Sequence, residues 1–271
     1  MTLQNLQNEL TIRGFSPRTV EAYLHYNAEF LKYANKDEVS QDDVRAYLAH
    51  LINDRHFKPR SVNLAISALK FYHDEMMERN LFRKISALKP EQKQPELLTK
   101  AQLDSLFKAS TQNPSHAVLI GLFCGSGPRV SENVQFTFED LNERDGLTTI
   151  RKGKGAKERT VIFSKKVLEL LRKIKEERKG DTNRFIFKSR SKRGHISRQQ
   201  AWNIVKKYAK AAGITHRIYP HLLRASFATQ LLEAGYDLGI IQELLGHESA
   251  NTTRIYARYS KERIKKVKSP L

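Results

Sequence analysis

Apolar residues recur at helical spacing through the first ninety residues of the chain. In GFSPRTVEAYLHYNAEFLKYA, Ser16 stands where a helix N-cap is expected and Pro17 at the first helical position. In SQDDVRAYLAHLI, Ser40 and Asp43 have the spacing of a capping box. A further amphipathic run is RSVNLAISALKFYHDEMMERN. The pattern predicts about four short helices that form a small all-helical domain over residues 1–88.

A second domain is predicted after a break in this pattern. LKPEQKQPELLTKAQL contains two prolines and a polar stretch, which indicates a linker at 89–97 and a domain from 98 to 271. Helical patterns dominate this domain, and one of them begins at Ser197 with Gln200 at capping-box distance. GLTTIRKGKGAKERTVIFS alternates β-branched residues around a glycine–lysine turn, which predicts two antiparallel strands, and NRFIFKS is interpreted as another strand. The expected fold class is mainly α, with a helical N-terminal domain and a mostly helical α/β domain that holds a small antiparallel sheet.

The charge is distributed unevenly between these two parts. The chain has 48 Lys and Arg against 29 Asp and Glu, a formal net charge of +19. Residues 1–90 hold 13 basic and 11 acidic residues, a net of +2, and residues 91–271 hold 35 and 18, a net of +17. A field of this sign attracts a polyanion such as a nucleic acid. A solvated basic surface explains the excess equally well at this point.

The remaining composition excludes several classes of protein. The single cysteine, Cys124, rules out an internal disulfide and a cysteine-based zinc site, and its apolar neighbours predict a small buried side chain. The sequence contains neither a long apolar run nor a charged-then-apolar leader. A cytoplasmic protein without a membrane anchor is therefore expected.

Two polar clusters lie in the first half of the second domain. In GSGPRVSENV, a glycine-rich turn is followed by Arg129 and, three residues later, by Glu132. The start of a helix favours an anion, but Arg129 suits a solvated helix start as well. RKGKGAKER places Lys154 between two glycines, which suits a projecting lysine or an ordinary exposed hairpin.

Two more clusters lie near the C-terminus. YPHLLRASFATQLL places His221 and Arg224 on one face of a helix that starts at a proline, a pair that suits a phosphate better than a metal. LLGHESANTTRIYARY places His247 in a turn before a helix that carries Tyr256 and Tyr259. Each cluster alone is compatible with a structural role.

Taken together, the clusters resemble the tyrosine recombinase (phage-integrase-like) family, and most of all its Xer branch of bacterial and archaeal resolvases of chromosome dimers. The motifs that match in order and spacing are SGPRVSE, GKGAKER, HLLR, LLGHES and TTRIYA. They contain the six positions Arg129, Lys154, His221, Arg224, His247 and Tyr256. Two positions depart from the family pattern: Pro128 stands where a leucine is usual, and Ala225 where a histidine is common.

The resemblance implies that the two arginines bind the scissile phosphate. Arginine presents forked donors that match phosphate oxygens, which lysine does not reproduce. Arg129 and Arg224 are expected to form this clamp, with His247 as a further donor to the developing charge. Glu132 is expected to orient the cluster, although a surface carboxylate is an equally good interpretation.

The resemblance also implies a covalent intermediate. Tyr256 is the expected nucleophile, His221 the base and Lys154 the acid, so that a 3′ phosphotyrosine forms and a 5′ hydroxyl leaves. Because the bond energy is kept in the intermediate, neither ATP nor a metal is required. The sequence has no ATP-binding loop and no compelling acidic triad, and no cofactor is expected.

The expected function is site-specific DNA recombination, with relevance to chromosome partition and cell division. An integrase or excisionase of a mobile element, a non-catalytic DNA-binding protein of the same fold and a type IB topoisomerase remain alternatives. The compact length favours the Xer type over a mobile-element integrase. The expected partners are double-stranded DNA with a specific site and other copies of the chain, as a dimer on one site and a tetramer in synapsis. An accessory protein is left open, and the basic tail SKERIKKVKSPL is expected to dock on a neighbouring copy.

Overall fold

The structure is a computed structural model that describes residues 2–36, 38–89, 96–142, 147–150 and 159–246. The chain divides into two compact units, Met1–Lys93 and Gln94–Leu271. No helix in these described ranges is both long and apolar enough to cross a membrane.

Helices make up the first unit. They are α1 (Leu3–Ile12), α2 (Pro17–Ala34), α3 (Gln41–Asn53) and α4 (Pro59–Lys70), and α4 runs into a π-helical turn, Phe71–Met76. The Ser16 hydroxyl accepts the backbone N–H of Thr19, and Ser40 and Asp43 form a capping box. The predicted starts of α2 and α3 are therefore confirmed by hydrogen bonds.

The core of the first unit contains a histidine from the π-helical turn. His73 is 1% exposed, and its ring lies edge-on to Phe30 with 5.5 Å between the ring centroids. Neither ring nitrogen has a hydrogen-bond partner among the described residues. Burial, followed by the nearby Arg79, lowers the pKa of His73 to about 4. This histidine is therefore a neutral core residue at neutral pH.

The second unit is mostly helical and includes one small sheet. Its elements are α5 (Lys100–Ser110), α6 (Pro114–Gly125), α7 (Val130–Asn133), β1 (Leu141–Asn142), β2 (Leu147–Ile150), β3 (Arg159–Ile162), α8 (Lys165–Glu177), α9 (Arg198–Ala211), α10 (Pro220–Glu233) and α11 (Leu238–Leu245). Helix α6 is buried on all sides from Ala117 to Phe123 and packs against α5, α8, α9 and α10. An apolar surface around the whole helix explains this central position.

The strands form an antiparallel sheet in the order β1-β2-β3. Ile150 pairs with Arg159, so residues 151–158 connect β2 to β3, and β3 lies against α11. The predicted small antiparallel sheet is confirmed.

The prediction of a strand at NRFIFKS is wrong. The segment makes only isolated bridges, from Phe185 to Thr137 and from Lys188 to His195. The Arg178 guanidinium donates to the carbonyl oxygens of Asn183, Phe185 and Ile186, so a side chain satisfies these carbonyls in place of a regular ladder.

Candidate active site

Arg129 and Glu132 are bound to each other at the start of α7. Arg129 is the N-cap residue of this helix, and its backbone N–H donates to Glu132 Oε2 at 2.7 Å. Its guanidinium Nη1 donates to Glu132 Oε1 at 2.9 Å. The glutamate side chain is 7% exposed and the arginine side chain 44% exposed. The buried carboxylate thus holds a guanidinium that reaches the surface.

Arg224 lies in the interior of the same unit. It belongs to α10, is 2% exposed and is the largest fully buried side chain among the described residues. Its Nη1 donates to the carbonyl oxygen of Gly127 at 2.7 Å, and its Nη2 donates to that of Leu245. Gly127 precedes Arg129 by two residues, so Arg224 is bound directly to the loop that carries the other arginine.

The C-terminal end of α11 brings the two arginines together. Arg129 Nη2 donates to the carbonyl oxygen of Gly246 at 3.0 Å, and Arg224 donates to that of Leu245. The last carbonyls of a helix have no partner within it, and this end of the helix dipole favours a cation. Gly246 ends α11 in the left-handed region, with φ 62°, a conformation that favours glycine. Both guanidinium groups therefore converge on one helix end, directly before His247.

The loop before Arg129 is fixed by contacts with three elements. Gly127 has φ +59°, and a Cβ on it would lie 2.5 Å from Phe227 Cδ1 and 3.1 Å from Leu245 Cδ2. The hydroxyl of the buried Ser126 donates a hydrogen bond to the carbonyl oxygen of Ile162, at the end of β3. The sequence marked this glycine-rich turn but not its role, which is to let the loop approach α10 and α11 closely.

His221 lies on the same helix as Arg224. It occupies the first turn of α10, is exposed, and precedes the buried arginine by three residues. The predicted pair therefore lies at the N-terminal end of one helix, with the histidine at the surface and the arginine in the interior. Ala225, one of the two departures from the family pattern, is 5% exposed in an apolar cluster with residues of α10 and α11. Pro128, the other, is buried beside Gly127.

Three predicted site residues lie outside the described residues. Lys154 belongs to the connection between β2 and β3, His247 follows the last described residue, and Tyr256 comes nine residues later. Their predicted roles stay predictions. The structure brings together Arg129, Glu132 and Arg224 and places His221 on the helix of Arg224.

The arrangement of the guanidinium groups is suited to holding an anion. Arg129 donates from two of its guanidinium N–H groups in these contacts, and an arginine has five such donors. Within the described residues, no group of three or more His, Cys, Asp or Glu side chains is placed to hold a metal ion. Cys124 packs against the core, and burial raises the pKa of its thiol to about 12, so it is not a nucleophile at neutral pH.

Comparisons with known proteins agree over nearly the whole chain. The sequence profile of the phage integrase family matches residues 96–263, and that of the phage integrase N-terminal SAM-like domain matches residues 2–82. The chain is 33% identical over 265 residues to tyrosine recombinase XerA of Pyrococcus furiosus, covering 97% of this chain and 91% of that protein. It is 33% identical over 278 residues to tyrosine recombinase XerD of Listeria innocua, covering 94% and 92%.

A solved structure shows the same fold. The crystal structure of the XerH site-specific recombinase bound to a palindromic difH substrate, in a post-cleavage complex, superposes with a TM-score of 0.79. The match covers 97% of this chain and 82% of that chain at 23% identity. With relatives of this similarity along its length and two matching profiles, the chain belongs to the phage integrase family of tyrosine recombinases.

Proposed function

We propose that this protein is a Xer-type site-specific recombinase that cleaves and rejoins DNA through a phosphotyrosine at Tyr256. The observation that carries the proposal is the convergence of Arg129 and Arg224 on the end of α11, directly before His247. This convergence brings two of the six matched positions to one helix end, and a third, His247, is the next residue in the sequence. A DNA-binding role alone does not call for a buried arginine at that place.

The two arginines form the phosphate clamp of this proposal. A phosphodiester is anionic and resists attack, so its non-bridging oxygens need donors that neutralise charge as it builds up. The Glu132 carboxylate accepts one hydrogen bond from the guanidinium of Arg129 and one from its backbone N–H, and so fixes this arginine in place. The main-chain carbonyls of Gly127 and Leu245 fix that of Arg224. His247 adds a donor from the residue next to Gly246.

The chemical step exchanges one phosphoester bond for another. The Tyr256 oxygen attacks phosphorus, the bond from phosphorus to the 5′ oxygen breaks, and a 3′ phosphotyrosine forms. His221 accepts the tyrosine proton, and Lys154 donates a proton to the departing 5′ oxygen. The same step in reverse, with the 5′ hydroxyl of another strand as the nucleophile, joins the exchanged strands.

Metal and ATP are not required in this mechanism. The energy of the broken bond is kept in the phosphotyrosine, and the arginines supply the charge stabilisation that a metal gives elsewhere. We expect cleavage to be unchanged within about twofold when EDTA is added. Cleavage that EDTA abolishes and Mg²⁺ restores would refute this part of the mechanism.

Several copies of the chain are required to complete recombination. Each chain supplies one Tyr256, and four strands are cut when two duplex sites exchange, so we propose a dimer on each site and a tetramer in synapsis. Residues 1–88 act as the DNA core-binding domain and 98–271 as the catalytic domain, joined by the linker 89–97. The protein acts in the cytoplasm on chromosomal DNA, where resolution of chromosome dimers serves chromosome partition at cell division.

A plasmid assay tests the proposal. DNA fragments that the protein binds are selected from genomic DNA of its source, and two copies of the selected site are placed in direct repeat on a supercoiled plasmid. We expect loss of the intervening segment, which a topoisomerase or a simple DNA-binding protein does not produce. Relaxation of the plasmid without deletion, or binding without either, would refute the proposal.

A further inference from the structure

The longest part of the chain without a carboxylate runs from Thr182 to Leu232. These 51 residues contain eleven Lys and Arg and no Asp or Glu, although about five acidic residues are expected at the average frequency in the chain. The stretch begins with a loop, 188–195, and ends in α10 with His221 and Arg224. Its basic residues are therefore continuous in sequence with the proposed active site, although the site does not use the loop.

The loop 188–195 is an ordered hairpin. Lys188 and His195 form a bridge at its base, the Ser189 N–H donates to the Gly194 carbonyl at 2.9 Å, and the Gly194 N–H donates to that of Ser191 at 2.9 Å. Gly194 has φ +74°, and a Cβ on it would meet the Phe185 ring at 3.3 Å. The backbone is thus closed into a tight turn and held against the residues before it.

The tip of this hairpin, residues 190–193, consists of three cations and a serine. Arg190, Lys192 and Arg193 are exposed, and none of them has a hydrogen-bond or ion-pair partner within the part of the chain that the structure describes. Three like charges in one short turn repel each other when no counter-charge is present. A fixed tip of this kind suits phosphate groups, whose binding also releases counterions.

The base of the hairpin is held by Arg178 and Asp181. Arg178, at the end of α8, has an 11% exposed side chain and donates to three carbonyl oxygens of the segment 183–186. The Asp181 carboxylate accepts from Lys188 Nζ at 2.7 Å, from the Asn183 N–H at 2.9 Å and from Arg178 Nε at 3.1 Å. The contact with Lys188, followed by that with Asn183, lowers the pKa of Asp181, so the carboxylate stays ionised.

We propose that the hairpin 188–195 contacts the DNA backbone through Arg190, Lys192 and Arg193, and that Asp181 and Arg178 are positioning residues for this contact. The inference rests on the proposed function, which supplies DNA as the partner. The contact adds affinity and salt dependence without reading bases, because phosphates carry no sequence information. Because Lys188 donates to Asp181, it helps to hold the hairpin in place and is not part of the proposed DNA contact.

The first test removes the three cations of the tip. The variant Arg190→Ala/Lys192→Ala/Arg193→Ala is compared with Lys165→Ala/Lys166→Ala/Lys173→Ala, which removes the same charge from exposed positions of α8, a helix that also carries three glutamates. The probe is a short duplex of arbitrary sequence, titrated by fluorescence anisotropy at several salt concentrations. The slope of log K against log salt is negative, and each lost phosphate contact makes it shallower by about 0.9, so we expect the slope of the tip variant to be shallower by about 2 to 3. The α8 control should change the slope by less than about 1.

The second test separates positioning from net charge. Asp181→Ala raises the positive charge of the protein, so a general electrostatic field predicts tighter DNA binding. Positioning predicts weaker binding and a shallower salt dependence, with Asp181→Asn in between because the amide oxygen still accepts the Asn183 N–H. Binding that is equal to or tighter than that of the unmodified protein would overturn the positioning role.

Equal slopes for the tip variant and the α8 control would overturn the backbone contact, and the tip would then be left for another partner. Formation of the covalent adduct at Tyr256 on a nicked substrate is measured in parallel. If the adduct forms but the tip variant binds DNA as the unmodified protein does, the inference fails and the proposed function stands. If the unmodified protein neither binds duplex DNA nor forms the adduct, the proposed function itself fails.

Discussion

Arg224 carries a charge that folding has removed from water. Its guanidinium is bound by two main-chain carbonyls that come from different parts of the chain, the loop before α7 and the end of α11. A buried charge is tolerated only where such partners are fixed in place. The protein therefore keeps this cation at a substantial cost, which is expected of a residue needed for binding or chemistry rather than for stability.

Substitution of Arg224 by lysine tests this at the level of a single residue. Lysine keeps the charge but cannot donate to Gly127 and Leu245 in the same fork, so the clamp loses its geometry. We expect single-turnover cleavage to fall by about 100-fold or more, with DNA affinity changed by less than about tenfold. Cleavage within a few-fold of the unmodified protein would contradict the assignment, and Trp202 fluorescence confirms that the second unit is folded.

Local residue contacts were predictable from the sequence, whereas distant ones were not. The capping residues Ser16 and Ser40, and the pair Arg129 and Glu132, depend on spacings of three residues that the sequence displays directly. The contact of Arg129 with Gly246 spans 117 positions and ends on a main-chain carbonyl. Every residue has such a carbonyl, so no residue type marks the one that accepts.

At the scale of elements, the site is an assembly of helix ends held by one turn. The loop that carries Gly127 lies against α10 and α11, and its serine is bonded to the end of β3. The end of α11 then binds both arginines. A shift of any of these elements moves both guanidinium groups, because they share the same loop and the same helix end.

Replacing Gly127 by alanine tests the requirement for this turn. The added methyl group meets the Phe227 ring at 2.5 Å, and the left-handed backbone is strained for alanine. We expect a loss of about 2 to 4 kcal/mol in the free energy of unfolding of the second unit, with a loss of cleavage activity. Trp202 is the only tryptophan and lies in α9, so its fluorescence reports the unfolding of this unit.

Gly125 provides the matched control for this variant. It lies two residues earlier, at the end of α6, and a Cβ there would meet no heavy atom within 4 Å. We expect Gly125→Ala to change the unfolding free energy by less than about 1 kcal/mol, because alanine suits a helix better than glycine. Equal effects of the two substitutions would contradict the role assigned to the turn.

The π-helical turn of the first unit is the element that no sequence pattern indicated. Nothing in FYHDEM distinguishes a π-helical turn from the continuation of α4, because side-chain periodicity differs little over six residues. Its effect is to place His73 in the core against Phe30, with no partner for its ring nitrogens among the described residues.

His73 makes the stability of the first unit dependent on pH. Its folded pKa of about 4 is below the ordinary 6.5, so the unfolded chain binds the proton more readily between these values. Stability therefore falls as the pH falls from about 6.5 to 4, by about 3 kcal/mol from this group, and the loss levels off below that range. Hydrogen exchange of the first unit should show this slope, and His73→Phe should remove it. Identical pH dependence in the two proteins would contradict the assignment.

At the scale of the whole molecule, the two parts of the chain differ in charge as they differ in proposed role. Residues 91–271 carry a net charge of +17 and residues 1–90 only +2. Composition alone left a solvated surface as an equal explanation of this excess. The inferred backbone contact assigns part of it to DNA, because the tip cations Arg190, Lys192 and Arg193 lie on a closed hairpin and have no ion-pair partner among the described residues.

The nucleophile is the central claim, and it concerns two tyrosines that lie three residues apart, Tyr256 and Tyr259. Helical periodicity does not choose between them. The proposed mechanism assigns the reaction to Tyr256, because it lies in the motif TTRIYA that resembles the family's, nine residues after His247.

The most direct measurement is the covalent adduct on a nicked suicide substrate that carries the selected site, scored as protein joined to DNA on a denaturing gel. We predict that Tyr256→Phe abolishes the adduct while DNA affinity stays within about threefold, and that Tyr259→Phe forms the adduct normally. An adduct that persists in Tyr256→Phe, or disappears only in Tyr259→Phe, would contradict the mechanism.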